Sequence, residues 1–299
     1  MTGAEAFGHW LIGWLQAAGS PELDGVARIF SFLGDEEFYL LLLPLLLWTV
    51  HRRVGLHLAV LLLASAWINA ALKALAGLPR PDPTLVDVMI VESAGGLPSG
   101  HAQNALVVWG YLAWALLRRR FGAGGGTPRM APTFVWGGAL VLTLLIGWSR
   151  LHLGVHFPHD LLAGWLAGAL LLAGALSLEQ RGLLEPERFR TPSAHLLLLL
   201  PLAMLLVYRE HTALPAASAL LGAGVGMALL GGCAMPEIPR RFGTGVVRLL
   251  VGLVGVGILW FGVPALPLPG EEAPRILRYL LLGGWLTGGA PFLFRRLGI

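Results

Sequence analysis

Nine apolar runs, most of them about 20 residues long, constrain the fold of this chain more than any other feature of its sequence. An α-helix needs roughly 20 mostly apolar residues to cross the hydrocarbon core of a bilayer. The runs show no period-two alternation, and backbone polar groups inside lipid must be paired, so helices are expected. The runs span residues 30–50, 54–76, 102–118, 132–149, 160–178, 192–209, 213–233, 245–264 and 276–294. We therefore predict an all-α, polytopic transmembrane bundle of about nine spans.

The composition excludes a soluble globular enzyme. Of the 299 residues, 56% are hydrophobic and 13% are charged, whereas about 25% are charged in ordinary soluble domains. The net charge of +4 does not indicate a nucleic-acid partner, because the basic residues lie in short clusters between apolar runs. Cys233 is the only cysteine, so no intramolecular disulfide, zinc ribbon or CxxC site is expected. The first residues lack a basic n-region, so we expect no cleaved signal peptide.

The arginine distribution predicts the orientation of the spans, because short cytoplasmic loops collect Lys and Arg. Alternate loops hold the arginines Arg52, Arg53, Arg118, Arg119, Arg120, Arg129, Arg181, Arg188, Arg190, Arg240, Arg241, Arg295 and Arg296. These arginine-rich loops are expected on the cytoplasmic side of the cell membrane. The linkers near 77–101 and 150–159 then lie on the non-cytoplasmic face.

Lys73 is the only lysine among 21 lysine and arginine residues, and it lies at the outer end of the second run. Arg80 and Pro81 follow it, which gives the pattern Lys-x6-Arg-Pro. Taken alone, this pair is better explained by two snorkelling cations at a helix end than by a functional site.

A second segment on the same face reads Pro98-Ser99-Gly100-His101 and opens directly into the third run. Ser99 is a favourable N-cap, and the N–H groups of Gly100 and His101 would lie at the positive end of a helix dipole, where anions bind. Taken alone, a Ser-capped helix with an interfacial histidine remains the alternative.

The third segment runs from Trp148 to Asp160, again on the outer face. Pro158 suits the first turn of a helix, so the carboxylate of Asp160 is expected to accept a hydrogen bond from one ring nitrogen of His156. That contact would leave the other nitrogen free to attack an electrophile. Charged residues beside membrane spans are costly, so this segment favours a functional site.

Two other function classes remain open at this point. His152, His156 and Asp160 follow the spacing His-x3-His-x3-Asp of a metal-binding helix face. Although Pro158 interrupts that face, a metal-dependent membrane hydrolase is therefore the second hypothesis. A non-enzymatic transporter, scaffold or flippase is the third, since membrane helices without a catalytic set would suffice for it.

The three segments together resemble the signature motifs of the type 2 phosphatidic acid phosphatase (PAP2) superfamily, which also includes vanadium haloperoxidases. The matching segments are Lys73-x6-Arg80-Pro81, Pro98-Ser99-Gly100-His101 and Ser149-Arg150-x5-His156-x3-Asp160. The resemblance covers roughly residues 30–180 and implies the helical core of that superfamily.

The resemblance also implies a role for each matching residue. His156 would attack phosphorus and carry a phosphohistidine, Asp160 would orient it, and His101 would act first as general acid and then as base. The remaining residues would hold the phosphate oxygens; they are Lys73, Arg80, Ser99, Gly100 and Arg150. No metal or other cofactor is expected.

The leading hypothesis is a metal-independent membrane phosphatase acting on a lipid phosphate monoester or diphosphate from the non-cytoplasmic side. Phosphatidate, phosphatidylglycerophosphate, undecaprenyl diphosphate and sphingoid phosphates all present this group. The motifs are expected to contact only the phosphate, so they do not distinguish these lipids. Because the chemistry lies early in the chain, we expect a catalytic membrane core over residues 1–190 and C-terminal transmembrane helices over 191–299.

Overall fold

The computed structural model describes residues 2–118, 131–182, 196–208, 210–229 and 237–299. Within these ranges the chain is all-α and contains no strand, which confirms the predicted fold class. The helices are α1 (Gly3–Ala17), α2 (Pro21–Phe32), α3 (Glu36–Leu45), α4 (Arg52–Ala76), α5 (Gly100–Leu117), α6 (Pro132–His152), α7 (Pro158–Gln180), α8 (Leu199–Val207), α9 (Leu214–Leu229), α10 (Phe242–Gly262), α11 (Glu272–Gly284) and α12 (Ala290–Leu297). One π turn, Leu46–Val50, extends α3, and another, Trp285–Gly289, joins α11 to α12.

Four of the described helices are long and apolar enough to cross a membrane: α4, α6, α7 and the extended α10, Phe242–Ala265. Each of the nine predicted runs overlaps a helix, but the count of nine spans stays a prediction. The first run differs from its prediction because a turn interrupts it after α2. In that turn the N–H of Gly34 donates to the carbonyl of Ser31 (2.8 Å), and that of Asp35 donates to the carbonyl of Phe32 (3.0 Å).

The chain divides into two compact units. The first comprises the described residues of Met1–Tyr39 and Ile68–Ala175, and the second those of Leu40–Trp67 and Leu176–Ile299. All of the predicted site residues belong to the first unit. The predicted boundary between residues 190 and 191 lies outside the described residues, so it stays a prediction.

Two glycines let α7 pack closely against the beginning of α5 in the first unit. A Cβ on Gly164 would lie 2.5 Å from the carbonyl oxygen of Ser99, and one on Gly168 would lie 2.7 Å from that of Gln103. Small residues in membrane helices typically allow the backbones of two helices to approach this closely. The N-terminus of α5 is thereby held beside the N-terminus of α7.

Helix α1 is fastened to the loop between α4 and α5. Ile12 of α1 packs with Val86 of the loop and with Phe157. The side-chain amide of Gln16 donates to the carbonyl of Asp87 (2.6 Å) and accepts from the N–H of Asp87 (3.0 Å). This two-point contact holds the loop that leads to Ser99.

The second unit has a close glycine-mediated contact of its own, between α9 and α11. A Cβ on Gly222 or on Gly283 would overlap the backbone of the opposite helix. Thr287, in the π turn after α11, donates to the carbonyl of Ala223 (2.7 Å). Small residues and one internal hydrogen bond therefore join these helices, as expected inside a bilayer.

Candidate active site

The beginning of α7 orients His156. Pro158 is the first residue of that helix, and Nδ1 of His156 lies 3.2 Å from Oδ2 of Asp160. The same carboxylate oxygen accepts the N–H of Phe157 (2.9 Å), so two donors fix its position. Since an ionised carboxylate only accepts hydrogen bonds, this contact places the proton on Nδ1 and the lone pair on Nε2.

Arg80 faces the nitrogen of His156 that bears this lone pair. Its NH1 lies 3.2 Å from Nε2 of His156 and donates to the carbonyl of Val155 (2.7 Å). Its Nε donates to the carbonyl of Ala94 (2.7 Å). Arg80 therefore joins the loop before α5 to the turn before α7, with its guanidinium beside the candidate nucleophile.

Arg150, near the end of α6, is fully buried and has two partners in the first unit. Its NH1 donates to the hydroxyl of Ser31, and its NH2 donates to Oε1 of Glu92. Oε2 of Glu92 lies 3.6 Å from NH2 of Arg80, so one carboxylate bridges both guanidinium groups. The Nε of Arg150 is buried and has no hydrogen-bond partner among the described residues.

Lys73 lies at the end of α4 and reaches the loop before α5. Its Nζ donates to the carbonyl oxygens of Gly95 and Gly96. This contact brings the ammonium group to the loop that also binds Arg80 through Ala94. All three predicted cations thus contact the loop segment from Glu92 to Gly96.

Ser99 is the N-cap of α5, as its sequence context predicts. Its hydroxyl accepts from the N–H of Ala102 (3.4 Å), and its own N–H donates to the carbonyl of Asp160 (2.9 Å). Asn69 of α4 donates to the carbonyl of Pro98 (3.3 Å) and to the side chain of Gln103 (2.9 Å). A Cβ on Gly100 would lie 3.0 Å from Oδ1 of Asn69, so glycine suits this close approach.

His101, in the first turn of α5, contacts a carboxylate that was not among the predicted site residues. Its Nε2 lies 2.8 Å from Oδ1 of Asp35, which precedes α3. The carboxylate of Asp35 is thus directed to His101.

The electrostatics of the site follow from burial among cations. Burial lowers the pKa of His156 well below its ordinary value, and the charges of Arg80 and Lys73 lower it further. Burial alone would raise the pKa of Glu92, but Arg150, His101 and Arg80 together hold the pKa of that carboxyl below its ordinary value. The site therefore favours the neutral form of the His156 imidazole.

Three residues that contact the site were missed by sequence reasoning: Ser31, Asp35 and Glu92. Glu92 had a weak signal, because it is a lone carboxylate that follows the apolar stretch Val88–Val91 just before the second motif. No sequence signal indicated Ser31, and none connected Asp35 with His101, since nothing in their local sequence points to partners far along the chain.

The metal-binding alternative is not favoured by the arrangement of its histidines. His152 is fully buried, and its Nε2 lies 2.7 Å from Oδ1 of Asp24, a residue of α2. Across the described part of the chain, no group of three His, Cys, Asp or Glu side chains is arranged to hold a metal ion.

Comparison with known proteins identifies the family. Residues 54–184 match the PAP2 superfamily, and residues 214–299 match the PAP2 superfamily phosphatase, transmembrane extension. Phosphatidylglycerophosphatase B of Bacillus subtilis (strain 168) is 31% identical over 160 residues, which cover 50% of this chain and 72% of that protein. The chain belongs to the PAP2 superfamily. Together with the long apolar helices, its transmembrane extension makes this PAP2 protein a multi-pass membrane protein.

Other PAP2 relatives are longer proteins. The probable sphingosine-1-phosphate phosphatase of Dictyostelium discoideum is 28% identical over 157 residues, 50% of this chain and 37% of that protein. Lipid phosphate phosphatase delta of Arabidopsis thaliana is 26% identical over 180 residues, 57% of this chain and 42% of that protein. The chain therefore spans less than half the length of these two relatives.

A solved structure shares the PAP2 fold. The crystal structure of the transmembrane PAP2 type phosphatidylglycerolphosphate phosphatase from Bacillus subtilis matches with a TM-score of 0.53 and 24% sequence identity. The match covers 60% of this chain and 88% of that chain. This likeness extends the sequence match to the arrangement of the helices.

Proposed function

We propose that this PAP2 protein is a membrane phosphatase that hydrolyses a lipid phosphate monoester or diphosphate through a phosphohistidine on His156. The observation that carries the proposal is the position of Nε2 of His156, 3.2 Å from the Arg80 guanidinium, while Nδ1 is held by Asp160. A nucleophile oriented by a carboxylate and facing cations suits attack on a phosphate.

In the first step, the lone pair on Nε2 of His156 forms a bond to phosphorus and the ester P–O bond breaks. The departing oxygen takes its electron pair and receives a proton from His101. Charge on the equatorial oxygens is stabilised by Lys73, Arg80 and Arg150, with Ser99 and the Gly100 N–H at the end of α5.

In the second step, water attacks the phosphohistidine and gives a proton to His101. The P–N bond breaks, its electron pair returns to Nε2 of His156, and inorganic phosphate is released. Asp160 stabilises the histidine through both steps, because its carboxylate is held by the Phe157 N–H. The chain's own cations supply the positive charge that metal ions supply in many phosphoryl transfers.

The proposed substrate is a lipid, and the proposed site faces the non-cytoplasmic side of the cell membrane. The alternation of arginine-rich loops supports this orientation. An acyl chain that remains in the bilayer contributes about 0.8 kcal/mol per buried CH₂, which favours a lipid over a soluble ester. The names of the relatives, which refer to phosphatidylglycerophosphate and sphingosine phosphate, are consistent with a lipid substrate.

We assign catalysis to residues 1–190 and a packing or lipid-facing role to the transmembrane helices of residues 191–299. Every residue that the mechanism uses lies before position 161, which supports this division. The same residues count against a non-enzymatic transporter or flippase, since such a protein would not need a nucleophile, a general acid and a set of phosphate-binding residues together.

The test of this function is phosphate release in detergent from phosphatidate, phosphatidylglycerophosphate, undecaprenyl diphosphate and a sphingoid phosphate. We expect turnover of at least one lipid, inhibition by vanadate, and slower turnover of glucose 6-phosphate under matched conditions. Dialysis against a chelator is expected to leave the rate unchanged. Release from none of the substrates would refute the proposal, and loss of activity on chelation would favour the metal-dependent hydrolase.

Trapping of the phosphoenzyme tests the role of His156 separately. His156→Ala is expected to lose about 10³-fold or more of the turnover of every substrate and to yield no trapped phosphoenzyme. Asp160→Asn should be milder, because the nucleophile is still present. His211→Ala, at an exposed histidine, is the matched control and should behave as wild type. A phosphoenzyme that persists in His156→Ala would show that another residue is the nucleophile.

A further inference from the structure

The turn between α2 and α3 contacts two residues of the candidate site. At its beginning, the hydroxyl of Ser31 accepts from NH1 of Arg150. At its end, the carboxylate of Asp35 lies 2.8 Å from Nε2 of His101. One short segment therefore reaches both a predicted phosphate-binding cation and the predicted general acid.

The backbone of this turn also packs against the imidazole of His101. A Cβ on Gly34 would overlap Cδ2 of that ring, so the glycine allows close contact. The His101 side chain is 15% exposed, whereas that of Asp35 is 38% exposed. The ring is thus enclosed by the turn, and the carboxylate approaches it from a partly solvated edge.

We propose that Asp35 is a positioning residue that orients His101 and stabilises its protonated form; this role rests on the proposed phosphatase function. An ionised carboxylate only accepts hydrogen bonds, so Nε2 of His101 carries a proton in both charge states. Nδ1 is then the atom that exchanges a proton with the substrate. His101 and His156 consequently use opposite ring nitrogens for chemistry, since Asp160 holds Nδ1 of His156.

The proton balance follows from this assignment. As the ester P–O bond breaks, the His101 imidazolium gives the proton on Nδ1 to the departing alcohol oxygen. His101 is then neutral, with its remaining proton on Nε2 facing Asp35. When water attacks the phosphohistidine, Nδ1 takes the water proton and the imidazolium is restored. Asp35 stays ionised throughout and exchanges no proton.

Other charges face His101 besides Asp35. Burial lowers the pKa of His101 and the charge of Arg150 in α6 lowers it further, whereas Glu92 of the preceding loop acts, like Asp35, in the opposite direction. His156 also interacts electrostatically with His101. Asp35 is the carboxylate that hydrogen-bonds the ring. Its removal is therefore expected to destabilise the imidazolium of His101, while the effects of Arg150, Glu92 and His156 stay the same.

The experiment compares Asp35→Asn with wild type on an alkyl lipid phosphate and on an aryl phosphate, whose phenolate departs without a proton. Asp35→Asn should lose about 10²-fold of the kcat for the alkyl substrate, and clearly less for the aryl substrate. In the pH–rate profile for the alkyl substrate, the alkaline limb should move to lower pH by about one unit, because His101 loses its proton more readily without the Asp35 carboxylate. A merely structural role would affect both substrates alike and leave that limb in place.

Three further variants make the comparison specific. Glu37→Gln alters an exposed carboxylate of the same acidic stretch and should match wild type. Asp35→Glu keeps the charge and should retain the position of the alkaline limb, even if its kcat falls. In a His101→Ala background, Asp35→Asn should cause no further loss of alkyl turnover, since Asp35 acts through His101.

Equal loss of alkyl and aryl turnover in Asp35→Asn, or an additive loss in the double variant, would overturn the proposal. So would an unchanged profile in a folded Asp35→Asn protein. These outcomes differ from failure of the proposed function, in which wild type itself would release no phosphate from either substrate.

Discussion

Oε1 of Glu92 contacts NH2 of Arg150, a cation whose side chain is fully buried, and its second oxygen lies 3.6 Å from Arg80. A carboxylate thus occupies the space between two guanidinium groups that are proposed to hold phosphate. Substrate phosphate would carry its own negative charge into the same space. We therefore expect Glu92 to compete with the substrate phosphate for these two cations.

Replacement of this carboxylate by a neutral amide is expected to strengthen anion binding. In Glu92→Gln, the inhibition constant for vanadate should fall by about fivefold, the factor that corresponds to roughly 1 kcal/mol from a partly exposed ion pair. Asp87→Asn, an exposed carboxylate of the same loop, is the control and should leave this constant unchanged. Weaker inhibition in Glu92→Gln would mean that Glu92 chiefly orients Arg150.

The pH dependence should reflect the environment of His156. Burial and the charges of Arg80 and Lys73 hold its pKa well below the ordinary value of 6.5. A lowered pKa keeps the imidazole neutral, and hence nucleophilic, as the pH falls through 6.5. The acid limb of phosphoenzyme formation should therefore lie well below that pH, as measured by rapid quench.

The charge contribution to this limb can be separated from burial with Arg80→Gln. Loss of a nearby positive charge raises the pKa of His156, so the acid limb should move to higher pH while the maximal rate falls. Arg241→Gln, at an exposed arginine of the second unit, should not move it. An acid limb that stays in place in Arg80→Gln would show that the charge of Arg80 does not contribute to the lowered pKa of His156.

Helix packing at the site predicts a stability difference between two glycines of α7. Gly164→Ala should reduce the free energy of unfolding by about 1–3 kcal/mol and impair phosphate release, because the new Cβ meets the carbonyl of Ser99. Gly174→Ala has open space at its Cβ and should be neutral or stabilising by up to about 1 kcal/mol. Thermal unfolding in detergent gives the comparison, and equal effects of the two substitutions would contradict the close contact.

Membrane orientation can be checked by cysteine labelling in a Cys233→Ser background. Cysteine at position 87 should react with an impermeant thiol reagent added to intact cells, whereas cysteine at position 124 should react only after lysis. The reason is that arginine-rich loops alternate with those that carry the site. Position 124 lies outside the described residues, so this prediction depends on charge alone. The reverse labelling pattern would show that the site faces the cytoplasm.

The sequence was most informative where partners are close along the chain. His156 and Asp160 are four residues apart, and Ser99 directly precedes the helix that it caps, so turn and capping chemistry were sufficient to predict these contacts. Hydropathy likewise predicted the all-α class, because helices satisfy their own backbone groups in lipid.

The contacts that sequence reasoning missed join distant segments. Asp35 is 66 residues from His101, and Glu92 is 58 residues from Arg150. No local period or motif encodes such a pairing, since it depends on how the turn after α2 and the loop before α5 are folded onto α6. The break between α2 and α3 did have a local signal that the prediction overlooked, because Gly34 and the three carboxylates of Asp35, Glu36 and Glu37 interrupt the apolar pattern there.

The pairing of Gln16 with Asp87 has a consequence for the mobility of the α4–α5 loop. The side-chain amide of Gln16 forms hydrogen bonds with both the N–H and the carbonyl group of Asp87, as a neighbouring β-strand would do in a sheet. The amide hydrogen of Asp87 is therefore expected to exchange with deuterium slowly although the residue itself is exposed, because exchange requires that the Gln16 side chain release it. Its exchange rate then measures how often α1 and the loop separate at this contact.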